Sequence, residues 1–175
     1  TMTHTEAQAR SVGTWTVSFT PADVSGDQAL VSKDHRGNLD GGHLTIWLDG
    51  DRLKARFQDD GSESRVLRFS DARIEAGETY HVAFAFDAET IALYVNGELV
   101  DADDGFPAGM TGNLEEVLIG ASARKRGGED DNAEWLFDGE IGQVSLLDRV
   151  LDPLEVALLA EAGGDLAAIR TEIAG

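Results

Sequence analysis

The strongest constraint on the fold of this chain is a pair of alternating segments on either side of a turn. Residues 43–48 read His-Leu-Thr-Ile-Trp-Leu and residues 53–57 read Leu-Lys-Ala-Arg-Phe, with Gly50-Asp51 between them. A two-residue hairpin at this turn collects the apolar pairs on one face, and a slip of one residue would destroy that separation. The predicted pairs are Leu44 with Phe57, Ile46 with Ala55, Leu48 with Leu53, Thr45 with Arg56 and Trp47 with Lys54.

Further alternating segments extend this pattern over most of the chain. Residues 82–86 and 91–95 alternate in the same way and predict a second hairpin, and Asn96-Gly97 after them is the strongest short turn signal. We expect about ten to twelve short strands, each with one apolar face. A single sheet would leave those faces in water, whereas two antiparallel sheets packed face to face bury them. Other predicted strands are Thr14–Thr20, Glu98–Val100, Glu116–Ile119 and Glu140–Leu147.

The last part of the chain changes from strand to helix periodicity. Asp152 is a candidate N-cap, Pro153 suits the first helical position, and Glu155 stands three residues after the cap. Gly163-Gly164 is expected to end this helix, and a second short helix is expected after it.

The composition disfavours several classes of function. There are 33 Asp and Glu residues against 14 Lys and Arg residues, giving a formal net charge of −19. We expect no nucleic-acid partner, because phosphate contacts need clustered basic residues, and no docking on anionic lipid. The chain has no cysteine, which excludes disulfides, thiol catalysis and cysteine-ligated zinc. No apolar stretch approaches the roughly 18 residues of a membrane span, so no membrane insertion is expected.

Five segments, in their order along the chain, carry a family resemblance. The segments are DQALVSKD at 27–34, GGHLTIWL at 41–48, YHVAFAFDAETIALYVNGELV at 80–100, LIGAS at 118–122 and FDGEIGQVSLLDRVLDPLEV at 137–156. With these segments, the chain over residues 13–160 resembles bacterial laminin G-like, concanavalin A-like lectin/glucanase domains. The resemblance implies a jelly roll of two curved sheets, usually used to bind carbohydrate or protein on the surface of secreted proteins.

The expected fold class is therefore all-β: a two-sheet antiparallel jelly-roll sandwich with short C-terminal helices. We expect a flexible N-terminal lead over residues 1–12 and the jelly-roll domain over residues 13–151. A C-terminal helical tail over residues 152–175 is expected to pack on the sandwich or to extend from it. Many relatives carry an aspartate at the position of Gly142, where it commonly helps to bind a structural calcium ion; this chain lacks that ligand.

A glucanase on this fold needs paired carboxylates. A retaining glycosidase holds two carboxyl groups about 5–5.5 Å apart, and Glu-x-Asp-x-Glu spacing on one strand would place them on a shared face. The candidate strands lack that spacing, since Glu140 has no acidic residue two positions later. We assign no catalytic residue and expect the chain not to be an enzyme. A cryptic polysaccharide hydrolase or lyase is kept as the third alternative.

Two oxygen-rich loops are candidates for calcium, which takes about six to eight oxygen ligands. One loop offers Asp34, Asn38 and Asp40, and an acidic loop further along the chain offers Asp131 and Asn132. In relatives these loops lie near the same rim of the sandwich, so the resemblance implies that side chains from both share one ion. The alternative is that both loops are solvated and that Asp and Asn make local turn hydrogen bonds.

The predicted polar face of the first hairpin is the candidate ligand site. It carries His43, Thr45 and Trp47 on one strand and Lys54 and Arg56 on the other. An aromatic ring beside charged hydrogen-bonding groups suits a glycan, especially an acidic one. Two alternatives stay open: Lys54 simply lies over Trp47 as a cation–π pair, or a neighbouring domain or the C-terminal helix covers the indole.

The favoured hypothesis is a non-catalytic carbohydrate-binding or adhesive module of a larger bacterial protein, extracellular or at the cell surface. Its expected partner is a glycan or polysaccharide, and its one candidate cofactor is calcium. Nearly level with it is a structural or assembly module that contacts neighbouring domains or subunits through the outer face and the tail helices. The oligomeric state discriminates between these two hypotheses.

Overall fold

Two antiparallel sheets packed face to face form the body of the protein in a computed structural model. The structure describes residues 2–3, 5–34, 42–59, 63–106, 109–113, 115–122 and 133–171. The strands are β1 (Gly13–Pro21), β2 (Asp27–Lys33), β3 (His43–Asp49), β4 (Arg52–Gln58), β5 (Ser64–Arg68), β6 (Tyr80–Phe86), β7 (Thr90–Val95), β8 (Glu98–Asp104), β9 (Leu118–Ile119) and β10 (Gly139–Leu147).

Each sheet has five strands within the described residues. Sheet I has the order β10-β1-β6-β7-β8, and sheet II has the order β5-β4-β3-β2-β9. All pairings between neighbouring strands of the described residues are antiparallel. This architecture confirms the predicted all-β jelly-roll sandwich.

The register of the β3–β4 hairpin is the one that the sequence predicts. Leu48 pairs with Leu53 and Thr45 with Arg56, and the turn consists of Gly50 and its neighbour, with φ +60 at the glycine. That backbone conformation is one that glycine adopts without the steric cost of a Cβ atom. The second predicted hairpin is present as β6–β7, in which Val82 pairs with Val95 and Phe86 with Ile91.

Aromatic side chains fill the space between the two sheets. The ring of Phe57 on sheet II stacks on Phe84 and Phe86 of sheet I, with centroids 5.8 and 5.7 Å apart. Trp15 and Phe19, which point inward from β1, are almost fully buried. The inner faces of both sheets therefore form one continuous core.

The N-terminal residues contact the sandwich in two places. The backbone of Met2 pairs with that of Val117 through two hydrogen bonds, and a short 3₁₀ helix follows at Glu6–Gln8. The carbonyl of Arg10 accepts a hydrogen bond from the backbone of Met110. Since Val117 bonds to the lead, β9 is shorter than the predicted strand that began at residue 116.

Two short helices close the described chain: α1 (Pro153–Glu161) and α2 (Ala167–Thr171). The predicted capping box is present, with the Asp152 side chain accepting from the backbone of Glu155. Val156 and Leu159 are buried against the outer face of sheet I, while Leu154 is 63% exposed. Among the described residues no helix is long and apolar enough to cross a membrane.

Candidate functional site

The outer face of sheet II carries a row of polar side chains that water barely reaches. The pairing of β3 with β4 sets His43, Thr45 and Trp47 beside Gln58, Arg56 and Lys54. These residues point away from the sandwich core, yet the first three are only 1%, 2% and 8% exposed. Polar groups buried in this way require defined hydrogen-bond partners, which makes the face a pre-ordered surface.

The carboxylate of Asp34 is the centre of this polar cluster. One of its oxygens accepts from Thr45 Oγ1 at 3.1 Å and from Arg56 Nη1 at 3.3 Å. The other lies 3.4 Å from His43 Nδ1. Burying a carboxylate is costly unless it is paired and hydrogen-bonded, and here Oδ2 has both a hydroxyl and a guanidinium as partners.

Gln58 extends the cluster towards the end of β4. Its Oε1 accepts a hydrogen bond from Arg56 Nη2, so the guanidinium is held by an amide as well as by a carboxylate. Because arginine only donates, this contact fixes which amide atom faces it. The Gln58 Nε2 is then a buried donor without a hydrogen-bond partner in the structure.

An aromatic pair adjoins the polar cluster. The indoles of Trp47 and Trp135 stack with centroids 6.0 Å apart and planes inclined by 22°. Lys54 lies over the Trp47 ring at 5.9 Å and makes an ion pair with Asp49. The C-terminal helix, which the sequence analysis offered as a cover for Trp47, packs on sheet I instead. Trp135, which is half-buried, stacks on Trp47 and presents the more accessible ring of the pair.

The backbone holds Trp135 in an uncommon conformation. Its φ is +52, in the left-handed region that few non-glycine residues adopt. Its carbonyl accepts a 2.7 Å hydrogen bond from the backbone of Ala29 on β2. The bond ties the indole to sheet II and keeps it over Trp47.

Asn113 joins the two ends of the segment between β2 and β3. Its Nδ2 donates to the carbonyls of Lys33 and Gly42 at 2.9 and 2.7 Å, and its Oδ1 accepts from the backbone of Glu115. Lys33 is itself fully buried; its Nζ donates to the Glu115 carbonyl at 2.6 Å, and burial lowers its pKa to about 8. We call this arrangement the Asn113 clamp.

The same arrangement requires a glycine at position 42. A Cβ atom on it would lie 1.7 Å from the carbonyl oxygen of Gly109, far inside any allowed contact. The backbones therefore meet here only because residue 42 has no side chain.

Of the five predicted metal ligands, only Asp34 lies within the described residues; Asn38, Asp40, Asp131 and Asn132 lie outside them. The structure directs Asp34 at Arg56 and Thr45. In the described part of the chain no group of three or more His, Asp or Glu side chains is arranged to hold a metal. The described donors thus give a calcium ion one carboxylate, already engaged by a guanidinium, and calcium stays a prediction.

The five predicted ligand residues lie together, and three further residues that contact or support this part of sheet II were not among them. Gln58 has a readable signal, since it stands two positions after Arg56 and shares its strand face. Asn113 and the covering position of Trp135 have none, because both act on strands more than 70 residues away in sequence.

Comparisons with known proteins agree with this architecture. The family model described as "Concanavalin A-like lectin/glucanases superfamily" matches residues 2–157. No match was found among curated protein sequences.

Among solved structures, the CBM40 of Ruminococcus gnavus IT-sialidase bound to alpha2,3 sialyllactose is 20% identical, with a TM-score of 0.71 over 87% of this chain and 84% of that one. A heptameric SAP-like pentraxin from Limulus polyphemus is 20% identical, with a TM-score of 0.63 over 90% and 73%. Domain 4 of the extracellular arabinanase AbnA from Geobacillus stearothermophilus, in complex with arabinotriose, is 16% identical, with a TM-score of 0.62 over 87% and 68%.

Proposed function

Because the chain belongs to the concanavalin A-like lectin/glucanase superfamily, we propose that it is a non-catalytic carbohydrate-binding module whose ligand lies on the outer face of sheet II. The observation that carries the proposal is the cluster of Asp34, His43, Thr45, Arg56 and Gln58 beside a stacked pair of indoles. Binding sites for small ligands combine apolar or aromatic surface with a few fixed polar groups.

The exposure of each side chain on this face determines the role that we assign to it. Trp135 offers an aromatic surface for the C–H side of a sugar ring, while Trp47 stacks against the other face of the Trp135 indole. Arg56 and Lys54, whose side chains keep 18% and 21% of their surface exposed, supply hydrogen-bond donors for hydroxyl or ring oxygens. His43 and Thr45 act through Asp34, which holds the Arg56 guanidinium in place.

The known ligands of similar structures support this choice of function. A sialyllactose and an arabinotriose are bound by two domains of the same fold. A non-catalytic role is supported by Asp34, because Arg56 and Thr45 engage the carboxylate that would otherwise be the acid of this face. By the same comparison we propose an extracellular or cell-surface location and attachment to a larger protein.

A glycan array probed with and without EDTA tests the proposal. We expect selective binding to a small set of glycans, and a loss of binding in EDTA if calcium assists. Trp135→Ala should weaken the binding about tenfold or more, since it removes the accessible ring. The matched control is Leu136→Ala, which truncates the exposed neighbouring side chain. Absence of binding to every glycan in both conditions would overturn the proposal.

A further inference from the structure

Basic side chains gather on two strands of this acidic protein. Five of its 14 Lys and Arg residues lie on β4 and β5. Arg52, Lys54 and Arg56 alternate along β4 and share its outer face, and Arg68 on β5 pairs directly with Lys54. These four residues form what we call the cationic strip, beside the indole pair.

The acceptors near the strip are already used within the protein. Asp34 accepts from Arg56, and Asp49 pairs with Lys54. Arg52 and Arg68, in contrast, make no ion pair with any residue that the structure describes. The donors left to meet a ligand on this face include the guanidinium groups of Arg52 and Arg68, which have no carboxylate partner within the described ranges. The backbone of Arg68 donates to Asp101, and its Nη1 donates to the Val66 carbonyl, which leaves the rest of the guanidinium for a ligand.

The overall charge of −19 does not cancel this local effect. At physiological ionic strength, charges more than about 8 Å apart are largely screened, so a bound group feels the strip more than the distant carboxylates. Arginine is also suited to carboxylates, because its planar fork donates two parallel hydrogen bonds. The strip thus favours a ligand rich in acceptors and negatively charged.

We infer that the saccharide bound by this face carries a carboxylate, and that Arg68 together with the exposed edges of Arg56 and Lys54 receives it. The inference rests on the proposed carbohydrate-binding function and specifies its ligand class. The sugar ring lies towards Trp135, and the carboxylate lies towards β5. Arg65 takes no part, because it pairs with Phe57 on the opposite row, lies over Phe106 and bonds to Asp103.

Titration calorimetry with matched glycans tests the inference. The probes are 3′-sialyllactose and tetragalacturonate, each beside its carboxyl-reduced form, together with the neutral glycans that bind on the array. We expect an acidic glycan to bind at least about tenfold more tightly than its reduced form. Arg68→Gln should weaken acidic binding about threefold to tenfold and leave neutral binding unchanged. Arg65→Gln, with the same change of charge on the same strand, should bind like the parent protein.

The outcomes separate the two proposals. Binding of neutral glycans alone would overturn this inference and leave the carbohydrate-binding function standing, whereas binding of none would overturn the function itself. Equal weakening by Arg68→Gln and Arg65→Gln would reduce the effect to general charge and overturn the assignment to the strip. Thermal unfolding of each variant separates a loss of binding from a loss of fold. We expect it to be unchanged in Arg68→Gln, whose side chain is exposed, and slightly lowered in Arg65→Gln, which loses its ion pair with Asp103.

Discussion

Acidification should lower the free energy of unfolding of this protein through one histidine, His81. Its ring lies on the outer face of sheet I, is 4% exposed, and finds no hydrogen-bond partner for either nitrogen in the described part of the chain. A Cβ atom placed on Gly164 would lie 3.7 Å from its Cδ2, so the turn after α1 covers it. Burial lowers the pKa of His81 from 6.5 to about 4, because a charged imidazole in this position would lose its water.

The sign and size of the effect follow from proton linkage. Below pH 6.5 the unfolded chain protonates this histidine while the folded protein does not, so the free energy of unfolding falls as the pH falls. Lowering the pH from 7 therefore reduces the free energy of unfolding through His81, by about 2 kcal/mol at pH 5 and about 3 kcal/mol at pH 4. The conversion is 1.36 kcal/mol for each unit of pKa shift.

His81→Leu isolates this contribution from those of the many carboxylates. Urea unfolding followed by tryptophan fluorescence at pH 7, 6 and 5 gives the free energy of unfolding of both proteins. The variant should be about as stable as the parent at pH 7, since an apolar side chain replaces two unpaired nitrogens, and more stable by about 2 kcal/mol at pH 5. Parallel pH profiles of the two proteins, or an imidazole that titrates near 6.5 by NMR, would refute the reasoning.

Three further variants test the loop supports and the tail. Asn113→Ala should lower the free energy of unfolding by about 2–3 kcal/mol in urea, because two buried carbonyls lose their donor; a change below 0.5 kcal/mol would contradict the clamp. Gly42→Ala should cost more than about 3 kcal/mol, since its Cβ would meet Gly109, whereas Gly26→Ala, with open space around it, should cost only about 1 kcal/mol for its positive φ. Asp152→Ala should cost about 1 kcal/mol through loss of the helix cap, and an unchanged melting temperature would contradict this.

Local patterns predicted the parts of the fold that depend on neighbouring residues. The β3–β4 register follows from alternation on either side of Gly50, because a slip would bury Arg56 and expose Phe57. The start of α1 follows from the spacing of Asp152, Pro153 and Glu155, which are neighbours in both sequence and space.

Contacts between distant segments could not be predicted in this way. The position of Trp47 on the outer face follows from the register, but its cover by Trp135 depends on how a remote loop is anchored to β2. Alternation along β6 directs His81 outward, but it does not reveal that the tail buries the ring without a hydrogen-bond partner among the described residues. Alternation gives the direction of a side chain from the sheet, whereas what lies above it is decided by tertiary packing.

The Asn113 clamp fixes the distance between the end of β2 and the start of β3. One amide holds Lys33 and Gly42, the residues from which the intervening segment departs and to which it returns. Both acceptors are backbone carbonyls, so the spacing of the two strand ends does not depend on the side chains at residues 35–41. A rigid scaffold of this kind tolerates sequence change in a connecting segment.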